Sequence, residues 1–251
     1  MHTPYLKPGL ALAGLALGLA SLSFAPMVSA GAEAIATAAT VLSVDDITGG
    51  TLGTDLTLTY QYVPADSFTD SSNSGNAYAN SAQFPDTAVS DDLDLGIYEN
   101  QQSFSQAGAY APVGRGFTAL AGEGYLTLTN LGATAMQVAF GYSIDLSAET
   151  SVTPAAFSDA YARAMVSIFD DTFAVDITQT VEADSANGPL DTAAYTNWGT
   201  FSIALDANET RVIHIQTQSQ AQVEFVPEPG SLALLALGVV GVRMRRRRAQ
   251  P

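Results

Sequence analysis

Apolar and polar residues alternate through most of the chain between residues 31 and 226, which is the pattern of β-strands. The clearest run has an apolar residue at every second position: Met136, Val138, Phe140, Tyr142, Ile144 and Leu146. Successive strand residues point to opposite faces of a sheet. These six side chains are therefore predicted to share one buried face, and Gln137 is predicted on the other face.

Shorter runs predict further strands, and turn-forming Gly, Asn, Asp and Pro residues separate them. These runs lie near residues 41–44, 56–62, 125–129, 173–181, 201–205 and 211–217. The last two are expected to form a hairpin across residues 206–209. The alanine-rich residues 160–169 fit helix or strand, and the Asp170-Asp171-Thr172 turn after them favours a hairpin. Many short strands of this kind predict an all-β, antiparallel β-sandwich, Ig-like or jelly-roll-like.

Residues 64–112 interrupt this pattern and are predicted to form a long irregular loop region with one short strand near residues 95–98. The stretch contains a small acidic cluster, Asp91, Asp92 and Asp94. Carboxylates are calcium ligands, but the Asp-x-Asp-x-Asp-Gly spacing of a calcium loop is missing. A solvated acidic loop is the favoured interpretation.

The first 30 residues have the pattern of a secretory signal peptide. Lys7 precedes an apolar stretch over residues 10–25, and Pro26 ends it. Small residues then lead to Ala30, so signal peptidase is expected to cut between Ala30 and Gly31, with a cut after Ala34 as the second choice. An uncleaved membrane helix is the alternative.

The last 25 residues combine three parts in a fixed order. Pro227, Glu228 and Pro229 cannot continue a strand or helix, because proline fixes φ and lacks an N–H. An unbroken apolar run over residues 232–242 follows. A basic cluster that favours the cytoplasmic side of a bilayer comes last: Arg243, Arg245, Arg246, Arg247 and Arg248.

This tail resembles the PEP-CTERM sorting signal of Gram-negative envelope proteins in motif, apolar run, basic cluster and C-terminal position. The resemblance implies a transmembrane sorting helix that holds the protein in the inner membrane, facing the periplasm, until an exosortase cleaves near the motif. It also implies a final location at the cell surface or outside the cell, and a structural or adhesive role linked to exopolysaccharide and biofilm. The predicted organisation is 1–30 signal peptide, 31–226 β-sandwich body and 227–251 sorting signal.

A permanent tail anchor is the other interpretation of these residues. The 11 apolar residues of positions 232–242 rise only about 17 Å as a helix, against a hydrocarbon core about 30 Å thick. Flanking residues and snorkelling of Arg243 lengthen the span, but it remains short. A short anchor favours a temporary hold on the membrane.

The composition of the body limits its partners. Residues 31–226 are long enough for one domain with one core. They hold three arginines and 24 acidic residues, a net charge of −21. Such a body is expected to avoid nucleic acid and anionic membrane surfaces. The chain has no cysteine, so neither a disulfide nor thiol chemistry contributes.

No catalytic residue, metal or cofactor is predicted, and the leading interpretation is non-enzymatic. His214 is the one histidine left after signal cleavage, it lies mid-strand, and no Gly-x-Ser-x-Gly elbow accompanies it. The alternative is a secreted carbohydrate-active enzyme or carbohydrate-binding module, since carboxylates are abundant. Trp198 with tyrosines such as Tyr78, Tyr98 and Tyr110 is a candidate sugar-stacking face, although core packing of Trp198 is favoured.

Overall fold

The computed structural model describes residues 31–64, 68–72, 77–85, 89–92, 98–110, 114–153 and 157–226. Antiparallel strands account for nearly all of them. The strands are β1 (Gly31–Thr48), β2 (Leu56–Pro64), β3 (Phe68–Ser72), β4 (Ala77–Phe84), β5 (Val89–Asp92), β6 (Tyr98–Tyr110), β7 (Gly114–Asn130), β8 (Met136–Val152), β9 (Phe157–Asp170), β10 (Asp176–Asp184), β11 (Leu190–Leu205) and β12 (Thr210–Val226). A single 3₁₀ turn, Ser185–Asn187, joins β10 to β11.

Two sheets pack face to face, which confirms the all-β, antiparallel sandwich. Sheet A has the strand order β11-β8-β1-β6-β4. Sheet B has the order β10-β9-β12-β7-β2-β5, and β3 pairs with β7 beyond the end of β2. The most apolar strand faces point into the space between the sheets, as alternation requires.

The chain crosses between the two sheets at almost every connection. The predicted hairpin of β9 and β10 is confirmed. The predicted hairpin across residues 206–209 is wrong, because β11 belongs to sheet A and β12 to sheet B. Turn residues show where a chain reverses, but they do not determine which sheet the next strand joins.

The predicted long loop over residues 64–112 is also wrong for the part that the structure describes, which forms β3, β4, β5 and β6. The buried face of β6 is made of small or polar residues, and this hid the strand from a hydrophobic pattern: Gln101, Ser103, Ser105, Ala107 and Ala109. At Ser105 a hydrogen bond takes the place of an apolar contact. The hydroxyl oxygens of Ser105 and Ser219 on the facing sheet lie 2.9 Å apart.

β1 begins at Gly31, ten residues before its predicted start at Val41. Four of its five inward residues in this extension are alanines, and the fifth is threonine; all are nearly or fully buried: Ala32, Ala34, Ala36, Ala38 and Thr40. The facing sheet B also has a small inward residue at this end, Gly116. A Cβ added to Gly116 of β7 would lie 2.5 Å from the backbone oxygen of Tyr78 in β4, so the two sheets approach closely here.

Large side chains fill the opposite end of the sandwich. The fully buried residues there include Leu56, Leu126, Leu128, Phe140 and Ile213. The predicted buried face of β8 is confirmed, with Phe140 and Ile144 fully buried and Gln137 exposed. The core therefore tapers from bulky residues at one end to alanine, glycine and serine at the other.

Candidate functional site

Both ends of the described chain lie at the end of the sandwich where the core residues are small. Gly31 pairs with Tyr110, and Phe225 pairs with Gly114, while residues 111–113 join Tyr110 to Gly114. A chain of that length spans at most about 14 Å. A second short connection, residues 154–156, leads from β8 beside Gly31 to Phe157, the partner of Val226. We call this the proximal end, and the opposite one the distal end.

Gly31 is held firmly in sheet A. Its backbone N–H donates to Thr153 Oγ1 at 2.7 Å, and its carbonyl accepts from the Thr153 N–H at 3.0 Å. An added Cβ would lie 2.6 Å from the Tyr110 ring, so glycine permits this close approach. β1 is an interior strand, between β6 and β8. A peptidase that needs an extended, accessible segment must therefore cut before this end of the sheet forms.

β12 is an interior strand of sheet B, and it stays paired to its last residue. Phe225 pairs with Gly114 on one side, and Val226 pairs with Phe157 on the other. Phe225 is 6% exposed. Pro227 is the next residue and cannot donate a ladder hydrogen bond. The proline motif therefore follows the fold directly, without an intervening linker.

Most of the predicted sorting residues lie outside the described residues. These are Ala30 and the signal peptide, Pro227, Glu228, Pro229, the apolar run at 232–242, and Arg243, Arg245, Arg246, Arg247 and Arg248. Within the described ranges, no helix is long and apolar enough to cross a membrane. Cleavage between Ala30 and Gly31 and the roles of the tail residues stay predictions.

A comparison with protein families finds the PEP-CTERM protein-sorting motif at residues 225–248. The match confirms the resemblance inferred from the tail and begins within the last two residues of β12. This chain is a PEP-CTERM protein, an exported protein that an exosortase sorts. No curated protein and no solved structure matches it.

His214 lies at the centre of an aromatic row across the outer face of sheet B. Its ring stacks on Phe169 with centroids 4.7 Å apart and meets Tyr125 edge-on at 5.2 Å. Its side chain is 25% exposed, so the ring is half-buried. Glu123 lies 4.0 Å from Nδ1, and it also accepts from Gln216 Nε2 at 3.0 Å. The imidazole thus serves as one ring of a surface stack.

A ladder of glutamines continues from His214 along the outer face of β12: Gln216, Gln218, Gln220 and Gln222. Beside Gln218 and Gln220 lies a shallow open depression of about 280 Å³. The small side chains of Ala119 and Ala121 line it, and Phe68 also borders it. The alternation of β12 contained this signal, since the intervening residues are the buried ones, but the sequence reasoning did not use it.

Trp198 does not pack in the core, contrary to the favoured interpretation. It is 79% exposed, on the outer face of the edge strand β11. The alternation itself carried this information, because the buried Ile203 and Leu205 have the opposite parity. The inward neighbour is Gly199, where an added Cβ would lie 2.6 Å from the Tyr142 hydroxyl, so Tyr142 fills the space beneath.

The predicted sugar-stacking face is not assembled around Trp198. Tyr78 lies on β4, at the other edge of sheet A, and its ring approaches Tyr110 at 6.0 Å. Its hydroxyl donates to Glu33 Oε1 at 2.8 Å. Burial and this bond raise the pKa of Tyr78. Of the other candidates, the side chains of Tyr98, Asp91 and Asp92, and the whole of Asp94, lie outside what the structure describes.

A buried carboxylate at the distal end was missed from the sequence. Asp170 is fully buried and accepts from the Val175 N–H at 2.8 Å and from the Thr172 hydroxyl. Arg211 Nη1 lies 3.2 Å from Asp170 Oδ2. Burial alone would raise the pKa of Asp170, but these hydrogen bonds outweigh it and lower the pKa. The cluster closes the β9–β10 turn onto β12.

Proposed function

We propose that the β-sandwich is a non-enzymatic structural or adhesive component of the extracellular matrix, released from the inner membrane by an exosortase. The observation that carries the release step is the sorting motif at residues 225–248, which starts where β12 ends. The arginine cluster keeps the C-terminus in the cytoplasm. The body then lies on the periplasmic side, with its proximal end against the membrane.

The proline motif is suited to recognition by such an enzyme. Prolines on both sides of Glu228 are expected to favour an extended backbone there, and they cannot donate ladder hydrogen bonds. β12 is described to Val226, so we expect the proline segment to lie between the sandwich and the bilayer. We expect the enzyme to recognise this segment rather than any residue of the sandwich.

The outer face of sheet B supports the matrix role. It carries the glutamine ladder, the Phe169, His214 and Tyr125 row, and exposed Phe68, in a body that is otherwise strongly acidic. Along these rows Arg163 is paired with Glu182 at 3.4 Å. Glu123 and Glu224 also lie on this face, beside the aromatic row and at the end of the glutamine ladder. Amide groups and aromatic rings can bind sugars, and these carboxylates favour a neutral polysaccharide over an anionic one. The same observation supports the second candidate, a carbohydrate-binding module on the sorting tail.

The matrix role is tested by fractionating the native host. The mature protein should co-sediment with the extracellular polymer and leave it when the polymer is digested. Replacing Gln218 and Gln220 by glutamate should weaken this association, because glutamate lacks the amide N–H donors of glutamine. Thr57→Glu on the same outer face serves as the control for added charge. A mature protein found free in the medium in all three cases would contradict the matrix role. Hydrolysis of a polysaccharide panel that is lost on replacing two facing carboxylates would contradict the non-enzymatic assignment.

A further inference from the structure

The free edge of β11 differs from the other sheet edges. In the part of the chain that the structure describes, β11 pairs with β8 alone, and it is 16 residues long. Exposed strand edges in natural proteins are usually short or protected by charge or proline. β10 carries three acids, and β4 and β5 are short, at 8 and 4 residues. β11 has one charged residue, Asp191, and no proline.

The residues along this edge are also self-complementary. If a second copy of β11 pairs antiparallel with the first, centred on Ala194, every position meets a suitable partner. On the outer face Leu190 lies opposite Trp198, Thr192 opposite Thr196, and Ala194 opposite itself. On the inner face Asp191 lies opposite Asn197, and Ala193 opposite Tyr195. These are an apolar–aromatic pair, a hydroxyl pair, a carboxylate–amide pair and a small–large pair. Within one chain the Thr196 hydroxyl donates to Asp145 Oδ1 at 3.2 Å, and Asp191 Oδ2 accepts from the Asp184 N–H and Asn187 Nδ2 at 2.8 Å. The match therefore rests mainly on the Leu190–Trp198 pair and on the small residues at the centre.

We propose that two copies of this protein join through β11, in an antiparallel register centred on Ala194, and so merge their two five-stranded sheets A into one. Every second residue of β11 turns its N–H and C=O away from β8, so the pairing supplies partners to four or five of the nine residues on each copy, on the order of ten hydrogen bonds in total. It also covers Leu190 and Trp198, which are 63% and 79% exposed in the single chain. The symmetry is that of an isologous dimer.

The partner is a second copy of this chain, because the register pairs residues 190–198 with the same nine residues running in the opposite direction. The high negative charge of the body opposes association, so the dimer should strengthen as salt screens it. Leu190 lies near the proximal end, since it pairs with Ser151 and Ser151 pairs with Glu33. Antiparallel pairing points the proximal ends of the two copies in opposite directions, so both copies cannot hold that end against one bilayer. We therefore expect the dimer to form between released copies. It does not involve the outer face of sheet B, so the matrix role and the dimer can fail separately.

Cysteine cross-linking tests the register on the full chain in its host. The natural chain has no cysteine, so each disulfide reports an introduced residue. Ala194→Cys places two Cα atoms about 5 Å apart across the dimer, within disulfide range. Thr196→Cys alone leaves its two copies four residues out of register, too far to bridge. We expect Ala194→Cys to give roughly tenfold more disulfide dimer than Thr196→Cys. Mixed Thr192→Cys and Thr196→Cys chains should again cross-link.

Charge substitutions at Thr192 and Thr196, which are both exposed, provide an independent test. Thr192→Lys with Thr196→Lys sets like charges opposite each other and should abolish the cross-link at residue 194. Thr192→Asp with Thr196→Lys sets opposite charges together and should keep it. No disulfide at residue 194 in a folded protein, equal yields at residues 194 and 196, or equal behaviour of the two charge variants would overturn the proposal.

Discussion

Phe140 is one of the largest fully buried side chains of the core. It is fully buried, and its ring stacks on Phe201 with centroids 5.1 Å apart. Replacing a buried phenylalanine by alanine costs about 3–5 kcal/mol, against about 5–15 kcal/mol for the stability of a whole domain. Phe140→Ala should therefore lower the melting temperature strongly. The exposed Gln137→Ala on the same strand should leave it nearly unchanged, and equal small effects would show that the face is not the core.

Asp170 gives the stability of the distal end a defined pH dependence. Its pKa in the folded state is lowered, so it contributes stability above its unfolded pKa of about 3.9. That contribution is lost as the pH falls through the lower, folded pKa. Chemical denaturation of wild type and Asp170→Asn should therefore differ at pH 7, and the difference should shrink below about pH 4. A difference that is constant from pH 7 to pH 3 would assign the effect to packing instead.

At the scale of strands, the sequence predicted those with bulky buried faces and missed those with small ones. β8 was predicted because Phe140 and Ile144 alternate with polar residues. The first part of β1 and most of β6 were missed, since alanine and serine give little hydrophobic contrast. They are buried nonetheless, because glycine, alanine and serine on the facing sheet let the two sheets approach.

The sorting residues were predictable because the proline motif, the apolar run and the arginine cluster are adjacent in the sequence. The shared location of Gly31 and Val226 was not, because it depends on which strands pair across the sandwich. Trp198 shows a different failure. Strand parity placed it outside, but the preference of tryptophan for burial outweighed that pattern in the interpretation.

A substitution at Gly116 tests the close approach of the two sheets at the proximal end. An added Cβ would meet backbone oxygen of Tyr78 at 2.5 Å, which cannot move aside as a flexible side chain would. Gly116→Ala should therefore destabilise the fold by about 1–3 kcal/mol, as overpacking does. Thr57→Ala, at an exposed position of the same sheet, is the control in thermal unfolding. An unchanged melting temperature for Gly116→Ala would mean that the sheets are further apart.

At the scale of the whole molecule, both membrane-directed segments attach to the proximal end of one rigid sandwich. Gly31 follows the predicted signal peptide, and Val226 precedes the sorting motif. In the proposed processing the signal peptide is removed before this end of the sheet forms, and the tail holds the folded body at the membrane. Both proposed cuts then lie at one end of the sandwich, and neither removes a strand.

Release from the membrane should depend on the proline motif, and retention should depend on the arginine cluster. Changing Pro227, Glu228 and Pro229 to alanine should leave membrane insertion intact and block release, so that uncut protein accumulates in the inner membrane. Changing Arg245, Arg246, Arg247 and Arg248 to serine should instead weaken retention and send full-length protein into the periplasm. Immunoblots of inner-membrane, periplasmic and extracellular fractions distinguish the two outcomes. Release of the alanine variant at the wild-type level would make the motif dispensable.

The intact mass of the protein recovered outside native host cells tests export and sorting most directly. We expect a chain that begins at Gly31, ends near the Pro227–Pro229 motif and lacks all five arginines of the tail. Any added mass would report a group attached at the new C-terminus. A mass that retains the arginine cluster, or a protein found only in the inner membrane with its tail intact, would show that residues 227–251 are a permanent anchor.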